Sequence, residues 1–280
     1  MLNTEQIAQF TKLMVKKYIA GESKEQRKKR KKAEKLDSIP LVETPYQIQS
    51  NKKYSVLCLK HGTKYSAEYV NILYNMVMRN CTLDIDFYCL TDDSAGIYPM
   101  VKIIPLPYDL KGWWCKPYMF SNEIPIEGTV LYMDLDVVIA SNIDKLFTYG
   151  KSNWCTIRDF TRKMSPSWQK YNSSVIKFES KSLNTFWKDF NSNKDRHMKK
   201  YFGDQDWLFE VARGNPASLF PDSWIQSWKW EIRQSKDINY NMPKGSRTLR
   251  TIENVIPPDD CCVCVFHGDP NPENCEDPWV

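Results

Sequence analysis

From Tyr54 onward, short apolar segments alternate with segments of helical periodicity. YSVLCLK, LDIDFYCLT and MVKIIPL have the length of strands, and YSAEYVNILYNMVMRN predicts a helix whose apolar face is formed by Tyr69, Ile72, Leu73 and Met76. Strands that alternate with helices are typical of a mostly parallel sheet with crossover connections. We therefore predict a Rossmann-like α/β fold, with helices flanking a mixed, mostly parallel sheet.

The second half of the chain is less regular. TVLYMDLDVVIA predicts a fourth and strongly apolar strand, NSSVIKFE a fifth, and CCVCVFHG the last. Helical segments are predicted for WWCKPYMFSN, SLNTFWKDFNSN and DQDWLFEVAR. At 280 residues the chain is long enough for a large single domain, which we assign to residues 54–280.

Residues 1–37 differ from this domain. Apolar residues recur there at helical spacing and are followed by the basic block KEQRKKRKKAEK, a pattern that fits an amphipathic helix on an anionic membrane or on a partner. A solvated basic helix explains the same pattern and is the interpretation we favour. Residues 38–53, with prolines at 40 and 45, predict a linker.

Charge and cysteine usage narrow the class of protein. The net charge of +5 is modest and much of it lies in the basic block, which argues against a nucleic-acid-binding surface on the domain. The nine cysteines lack zinc-site spacing, and no apolar run has the length of a transmembrane helix. We expect a cytoplasmic protein with reduced thiols, whose membrane contact would be peripheral and through residues 1–37.

Two carboxylates, Asp134 and Asp136, interrupt the most apolar of the predicted strands. Side chains alternate along a strand, so the two would point the same way, about 7 Å apart. Ionised carboxylates in a low-dielectric setting repel each other, and they persist only at a wet strand end or around a cation. Such oxygen ligands suit Mn²⁺ or Mg²⁺, and ligands of open parallel sheets bind outside the carboxyl ends of the strands.

Two further Asp-x-Asp pairs have simpler explanations. Asp84 and Asp86 lie in the alternating segment TLDIDFY, which predicts a solvent-facing edge strand. Asp204 and Asp206 follow Gly203 at a predicted helix start, where carboxylates cap the N-terminus.

The ordered segments CLTDD, WWCKPYMF, VLYMDLDVVIASNIDKLF, YNSSVIKF, GDQDWL and VFHGDPNP together resemble the glycogenin-like family of retaining glycosyltransferases and their viral and bacterial relatives. The resemblance covers roughly residues 54 to 275. It implies the GT-A fold, a single domain that binds a nucleotide sugar and a divalent cation.

The resemblance implies a metal site. Asp134 and Asp136 would be the DxD motif that holds Mn²⁺ or Mg²⁺ against a diphosphate, and His267 would be the third protein ligand. Residues 59–65 would form a loop close to the base and ribose. His267 also has a structural explanation, because a lone histidine on an apolar strand is often a satisfied core residue.

The resemblance also implies a donor site. Lys116 falls where the family keeps a basic residue near the donor, Asn172 would lie near the donor sugar, and Gly268 would also bind the donor. Asp204 and Gln205 would hold the sugar hydroxyls and are the candidate catalytic residues. The structural alternatives are a surface lysine for Lys116, a turn for Asn172 and a helix cap for Asp204.

One position departs from the family pattern. The family usually has a lysine soon after the histidine, where it neutralises the leaving phosphate, whereas the tail HGDPNPENCEDPW has Asn271 there. A fixed cation beside the developing charge is worth on the order of several kcal/mol. The protein is therefore expected to be slow, to use Lys244 or Arg247 instead, or to bind without turnover.

The segment SWIQSWKWEIR is rich in tryptophan. Its indoles belong to Trp224, Trp228 and Trp230. Together with Trp168 and Tyr171, which are nearby in sequence, they would form a stacking platform for an acceptor sugar. Alternatively they fill the core, and we favour this interpretation because aromatic side chains dominate burial.

These features predict a metal-dependent glycosyltransferase that moves a hexose, with retention, from a nucleoside diphosphate sugar to a hydroxyl acceptor. The expected donor is a UDP-hexose, and the acceptor is a glycan, a lipid or a protein. The alternative is a non-catalytic carbohydrate- or nucleotide-binding protein on a degenerate transferase fold. A metal-dependent nuclease would need a basic groove in the domain, which the charge distribution does not predict.

Overall fold

The computed structural model describes residues 53–107, 109–232, 256–268 and 271–275. The predicted N-terminal helix, the linker up to residue 52, Lys244 and Arg247 lie outside the described residues. Among the helices that are described, none combines the length and the apolar character needed to cross a bilayer.

Within the described residues, ten strands form two sheets. In chain order they are β1 (Tyr54–Lys60), β2 (Ile85–Thr91), β3 (Lys102–Pro105), β4 (Thr129–Met133), β5 (Val137–Ile139), β6 (Trp154–Arg158), β7 (Tyr171–Glu179), β8 (Ser218–Leu219), β9 (Ile225–Ser227) and β10 (Val263–Val265). The large sheet has the order β3-β2-β1-β4-β7-β6-β8, and the small one has the order β5-β10-β9. Strands β3, β2, β1 and β4 are parallel, whereas β7 is antiparallel to β4 and β6. The predicted mixed, mostly parallel α/β sheet is confirmed.

The described part of the chain has five α-helices between these strands: α1 (Ala67–Asn80), α2 (Asp144–Thr148), α3 (Asn184–Ser192), α4 (Lys194–Lys200) and α5 (Asp204–Val211). The predicted helical connection around Pro117 is a 3₁₀ helix, Gly112–Phe120, and shorter irregular turns occur at Phe160–Lys163, Ala212–Gly214, Trp228–Ile232 and Pro272–Asn274. Helix α1 buries Leu73 and Met76 as expected, but Tyr69 and Ile72 lie at the margin of its buried face.

The large sheet is covered on both faces. Along β1, Val56 and Cys58 pack into one apolar cluster and Leu57 packs into the other. Strands buried on both sides read as continuous apolar runs, which is why β1 and β2 were recognisable in the sequence. None of the nine cysteines, all of which the structure describes, forms a disulfide, and seven of them are buried.

The predicted fourth strand is in fact two strands. β4 ends at Met133 in the large sheet, β5 begins at Val137 in the small sheet, and residues 134–136 form the connection between them. The Asp134 N–H still donates to the Ser174 carbonyl of β7 (2.8 Å) before the chain turns away. The two carboxylates interrupt an apolar run because the chain changes sheets there.

The edge-strand prediction for Asp84 and Asp86 is wrong in part. β2 lies inside the sheet between β1 and β3, and Asp86 is buried, with Lys102 Nζ at 2.7 Å from its carboxylate. Asp84 precedes the strand and is exposed. An acidic residue is tolerated on the interior strand because the neighbouring strand supplies its counter-charge.

Candidate active site

The turn at residues 134–136 adjoins a lysine that is largely shielded from solvent. Lys116, on the 3₁₀ helix before β4, has its Nζ 2.8 Å from Asp134 Oδ1 and 3.6 Å from Asp204 Oδ2. It also donates to Ser173 Oγ (3.1 Å), and the Ser173 hydroxyl donates to Asp204 Oδ2 at 2.6 Å. Three of the predicted site residues, far apart in sequence, therefore share one hydrogen-bonded network.

Burial and ion pairing oppose each other in this network. Burial alone would lower the pKa of Lys116, but the carboxylates of Asp134 and Asp204 outweigh it and raise that pKa above its usual value. Burial raises the pKa of the Asp204 carboxyl, although Lys116 and the Ser173 hydrogen bond favour the ionised form. Lys116 is therefore a fixed cation at this site.

The negative charge of Asp136 is less well balanced than the charges of Asp134 and Asp204, which are both ion-paired with Lys116. Its carboxylate accepts a hydrogen bond from the Tyr65 hydroxyl at 3.0 Å. Burial, followed by repulsion from Asp134, raises the pKa of Asp136 to about 6. Asp136 thus adds a third carboxylate to the neighbourhood of one ammonium, that of Lys116, and a divalent cation would relieve the repulsion between Asp136 and Asp134. Carboxylate oxygens are also the ligands that Mn²⁺ and Mg²⁺ prefer, so the DxD turn fits such an ion.

His267 lies at the same edge of the small sheet as Asp136. Val137 of β5 pairs with Val265 of β10, and Val265 also pairs with Ser227 of β9. Asp136, just before β5, and His267, just after β10, therefore lie at the same edge of this sheet. The Phe266 N–H donates to the Asp136 carbonyl at 2.9 Å, and His267 follows directly.

The imidazole of His267 is held within the protein. Its Nε2 is 2.6 Å from Ser227 Oγ, and its ring stacks on Phe160 with centroids 5.1 Å apart. Burial, and then the positive charge of Lys229, lowers the pKa of His267 to about 3, so the ring is neutral near pH 7. A neutral imidazole is the form that binds metals. Within the described ranges, however, no three His, Cys, Asp or Glu side chains are gathered for a metal, so His267 is not brought together with the DxD pair.

Asn172 and Gln205 contact each other next to the Lys116 network, because Asn172 directly precedes Ser173. Asn172 Nδ2 donates to Gln205 Oε1 at 3.4 Å, and Asn172 Oδ1 accepts from the Ser174 N–H at 2.9 Å. Both side chains line a cleft of about 290 Å³, which His267 also lines. The predicted residues therefore form two adjoining groups, the Lys116 network and this cleft, joined through Asn172 and Ser173 of β7.

The C-terminal tail begins with a glycine that its backbone requires. Gly268 has φ +72°, and a Cβ there would lie 3.3 Å from Lys229 Nζ. Lys229 is buried, so this end of β10 has a lysine close to its backbone. Asn271 precedes the short 3₁₀ turn Pro272–Asn274 as its N-cap residue.

Sequence reasoning missed three hydroxyl groups of the network. Ser173 follows Asn172 directly and Tyr132 donates to Asp134 Oδ1 at 2.7 Å from two residues away, so both carried a local signal. Tyr65 reaches Asp136 across 71 positions of sequence, and no local pattern reveals that contact. Among the tryptophans, core packing is confirmed for Trp228, whereas Trp230 is half-buried and also lines the cleft.

Comparison with known proteins identifies similar structures but no similar sequences. No protein-family model matches the chain, and no curated protein matches it. The crystal structure of the glycosyltransferase GlyE of Streptococcus pneumoniae TIGR4 superimposes with a TM-score of 0.55 at 13% identity, over 80% of this chain and 58% of that one. The chain thus spans little more than half the length of GlyE.

A second similar structure is the galactosyltransferase LgtC, solved in complex with donor and acceptor sugar analogues. It superimposes with a TM-score of 0.51 at 15% identity, over 78% of this chain and 88% of LgtC. At such identities the likeness concerns the fold, and together with the sheet order it shows that the described domain has the GT-A glycosyltransferase fold.

Proposed function

We propose that the protein is a metal-dependent glycosyltransferase that moves a hexose from a nucleoside diphosphate sugar, favoured as a UDP-hexose, to a hydroxyl acceptor with retention. The observation that supports this proposal is the ion pairing of one largely shielded ammonium, that of Lys116, with both Asp134 and Asp204 beside the DxD turn. In a glycosyltransferase fold, carboxylates in excess of their counter-charge at a strand end support a cation site for a diphosphate.

Asp134 and Asp136 would hold Mn²⁺ or Mg²⁺, with His267 as the proposed third protein ligand. Support for His267 comes from its neutral imidazole and from its position at the sheet edge of Asp136. The Ser227 hydroxyl orients the ring, as hydrogen bonds from neighbouring groups do for histidine ligands. When bound, the cation supplies Lewis-acid stabilisation of the departing diphosphate.

The remaining residues would bind and orient the donor. Lys116 holds Asp134 and Asp204 in place, and the amides of Asn172 and Gln205 would bind sugar hydroxyls alongside Asp204. The backbone at Gly268, which carries no side chain, would allow close approach to the donor.

The transfer step needs no covalent enzyme intermediate. The acceptor hydroxyl oxygen forms a bond to the anomeric carbon as the bond from that carbon to the phosphate oxygen breaks. The bonding electron pair leaves with the nucleoside diphosphate, whose phosphate oxygen takes the hydroxyl proton. Attack from the face that the phosphate leaves would retain the configuration, and it is proposed here because no side chain at the site stands out as a nucleophile.

The test is release of nucleoside diphosphate from a panel of nucleotide sugars with Mn²⁺, with Mg²⁺ and with chelator. We expect metal-dependent UDP release from a UDP-hexose, lost in Asp134→Asn and kept in the matched variant Asp84→Asn. Absence of release from every donor, in the presence of either metal, would contradict the proposal.

A second candidate function is supported by Asn271. If the lysine expected there has been lost together with turnover, the protein would bind a nucleotide or a carbohydrate without transferring it. Calorimetry that finds UDP binding with Mn²⁺ but no UDP release from any donor would favour this candidate.

A further inference from the structure

We propose that the cleft beside Asn172 and Gln205 is the acceptor site and that it takes a neutral sugar ring, so that the acceptor is a glycan rather than a lipid or a protein. This inference rests on the proposed function and narrows its acceptor class. The lining of the cleft combines aromatic and polar side chains, which suits a carbohydrate.

The aromatic part of the lining consists of Phe160, Trp168 and Trp230. Trp230 meets the His267 imidazole edge-on at 4.5 Å between centroids, while Phe160 stacks on the same imidazole, so these rings hold one another in place. A pyranose has an apolar face of C–H groups, and a fixed aromatic ring packs against such a face without losing hydrogen bonds.

Trp168 is half-buried and offers a donor as well as a ring. Its indole N–H is buried and has no acceptor among the residues that the structure describes. An unpaired buried donor costs free energy, which a sugar hydroxyl would recover by accepting from it. Trp168 is thus the residue at which we expect the largest effect on acceptor binding.

The polar lining suits hydroxyl groups better than phosphate. Lys170 is ion-paired with Asp206 at 3.1 Å, so its charge is already balanced. Asp159 adds a carboxylate, whose oxygen accepts from the Thr161 N–H at 3.0 Å, and Asn172 and Gln205, which would bind the donor sugar, form the wall that the cleft shares with the donor site. Carboxylates and amides pair with sugar hydroxyls, whereas a phosphate-bearing lipid would need cations in excess.

Size and position point the same way. A volume of about 290 Å³ is close to the lower end of the ~300–1,000 Å³ typical of ligand pockets. It suits one or two sugar rings rather than an acyl chain. Asn172, at the inner wall, is adjacent to Ser173, which contacts both Lys116 and Asp204. A sugar in the cleft would therefore present a hydroxyl next to the proposed donor site, as transfer requires.

The experiment compares Trp168→Ala and Trp230→Phe with the control Trp224→Phe. Trp224 precedes β9 and packs on Tyr149, at the opposite end of that strand from Trp230. The full-length protein is given its active donor with Mn²⁺, and transfer to lactose, maltose and cellobiose is measured beside donor hydrolysis. Ceramide and peptides containing Ser, Thr or Tyr are offered in parallel.

We expect transfer to at least one of the sugars. The ratio of transfer to hydrolysis should fall at least tenfold in Trp168→Ala, mainly through a higher KM for the acceptor, with a smaller fall in Trp230→Phe and no change in Trp224→Phe. Transfer only to ceramide or peptide, or equal effects of the Trp168 and Trp224 substitutions, would overturn the acceptor proposal while leaving the proposed function intact.

A binding measurement separates this inference from the activity. Titrating the same three sugars into protein saturated with UDP and Mn²⁺ should change tryptophan fluorescence saturably in wild type and in Trp224→Phe, and not in Trp168→Ala. If no donor is hydrolysed, the proposed function fails, and this titration alone decides: a saturable signal lost in Trp168→Ala supports a sugar-binding cleft, and no signal in wild type refutes it.

Discussion

Two Asp-x-Asp pairs in this protein have the same spacing, and each pair has a lysine partner. In the first, Asp86 on β2 pairs with Lys102 from β3 at 2.7 Å, and Asp84 is exposed just before the strand. The Lys102 side chain is 33% exposed, so water screens part of the interaction. One buried carboxylate meets one cation here, and the charges balance inside the sheet.

The second pair occupies the turn between the two sheets. Asp134 pairs with Lys116 at 2.8 Å, but the same ammonium also faces Asp204, and Asp136 lies beside them. The Lys116 side chain is only 11% exposed. Carboxylates here exceed the buried counter-charge, so the pair has electrostatic room for a further cation.

Equal Asp-x-Asp spacing therefore does not give equal charge balance. Asp84 and Asp86 fall at the start of a strand that continues within one sheet, and a neighbouring strand neutralises the buried member. Asp134 and Asp136 fall where the chain passes from one sheet to the other, after the end of β4 and before the start of β5. The following substitutions test whether this difference in charge balance decides the function.

The largest effect is expected for Asp134 and Asp136, the proposed metal ligands. Asp134→Asn or Asp136→Asn should weaken Mn²⁺-dependent UDP binding at least a hundredfold, because each removes one charged oxygen ligand. Calorimetry with UDP and Mn²⁺ measures this. Asp84→Asn should bind like wild type, and Asp86→Asn should lower stability without changing affinity. Unchanged UDP affinity in both the Asp134 and the Asp136 variant would show that these carboxylates do not bind the metal.

Replacing Lys116 is expected to lower stability much more than replacing Lys102. Removing one partner of a buried ion pair costs about 3–5 kcal/mol, whereas a partly exposed pair contributes about 1 kcal/mol or less. Lys116→Met should therefore lower the free energy of unfolding several-fold more than Lys102→Met, as followed by urea denaturation. Equal losses would mean that Lys116 is no more deeply engaged than Lys102.

The sequence predicted the parallel half of the fold well and the site only in outline. β1, α1 and β2 have uniform periodicity and local contacts, so their patterns identified them. The break between β4 and β5 was missed because apolar residues continue on both sides of Asp134 and Asp136, and a run of letters does not show a change of sheet. The role of Tyr65 was missed because its partner is 71 positions away. Long-range packing decides both features.

A moderate effect is expected at Asn271. Asn271→Lys should raise turnover with little change in donor affinity, because an added cation interacts more strongly with the charge of the departing phosphate than with the bound donor. One charge-assisted hydrogen bond is worth about 1.5–3 kcal/mol, or roughly ten- to a hundredfold in rate. Steady-state UDP release measures both parameters.

The alternative outcome at Asn271 is equally specific. If Lys244 or Arg247 already supplies the charge, Asn271→Lys should be neutral, and Lys244→Ala or Arg247→Ala should cost about as much as the expected gain. Lys229, buried beside Gly268, is the described cation to add to that set. If turnover is measurable and none of Asn271→Lys, Lys244→Ala, Arg247→Ala and Lys229→Ala changes it, the assignment of the leaving-group region is wrong.

The smallest effect is expected from deleting residues 1–37. None of the proposed site residues lies in residues 1–37, so removal of the basic block should leave UDP release and its Mn²⁺ dependence unchanged. Vesicles containing phosphatidylserine provide the second measurement. Each Lys or Arg near an anionic surface contributes about 1 kcal/mol, so a membrane role predicts lost binding. Equal vesicle binding by the two proteins would leave the solvated-helix interpretation. A drop in donor affinity on deletion would show that the basic block helps to neutralise the acidic site, and the excess of carboxylates inferred there would have to be counted again.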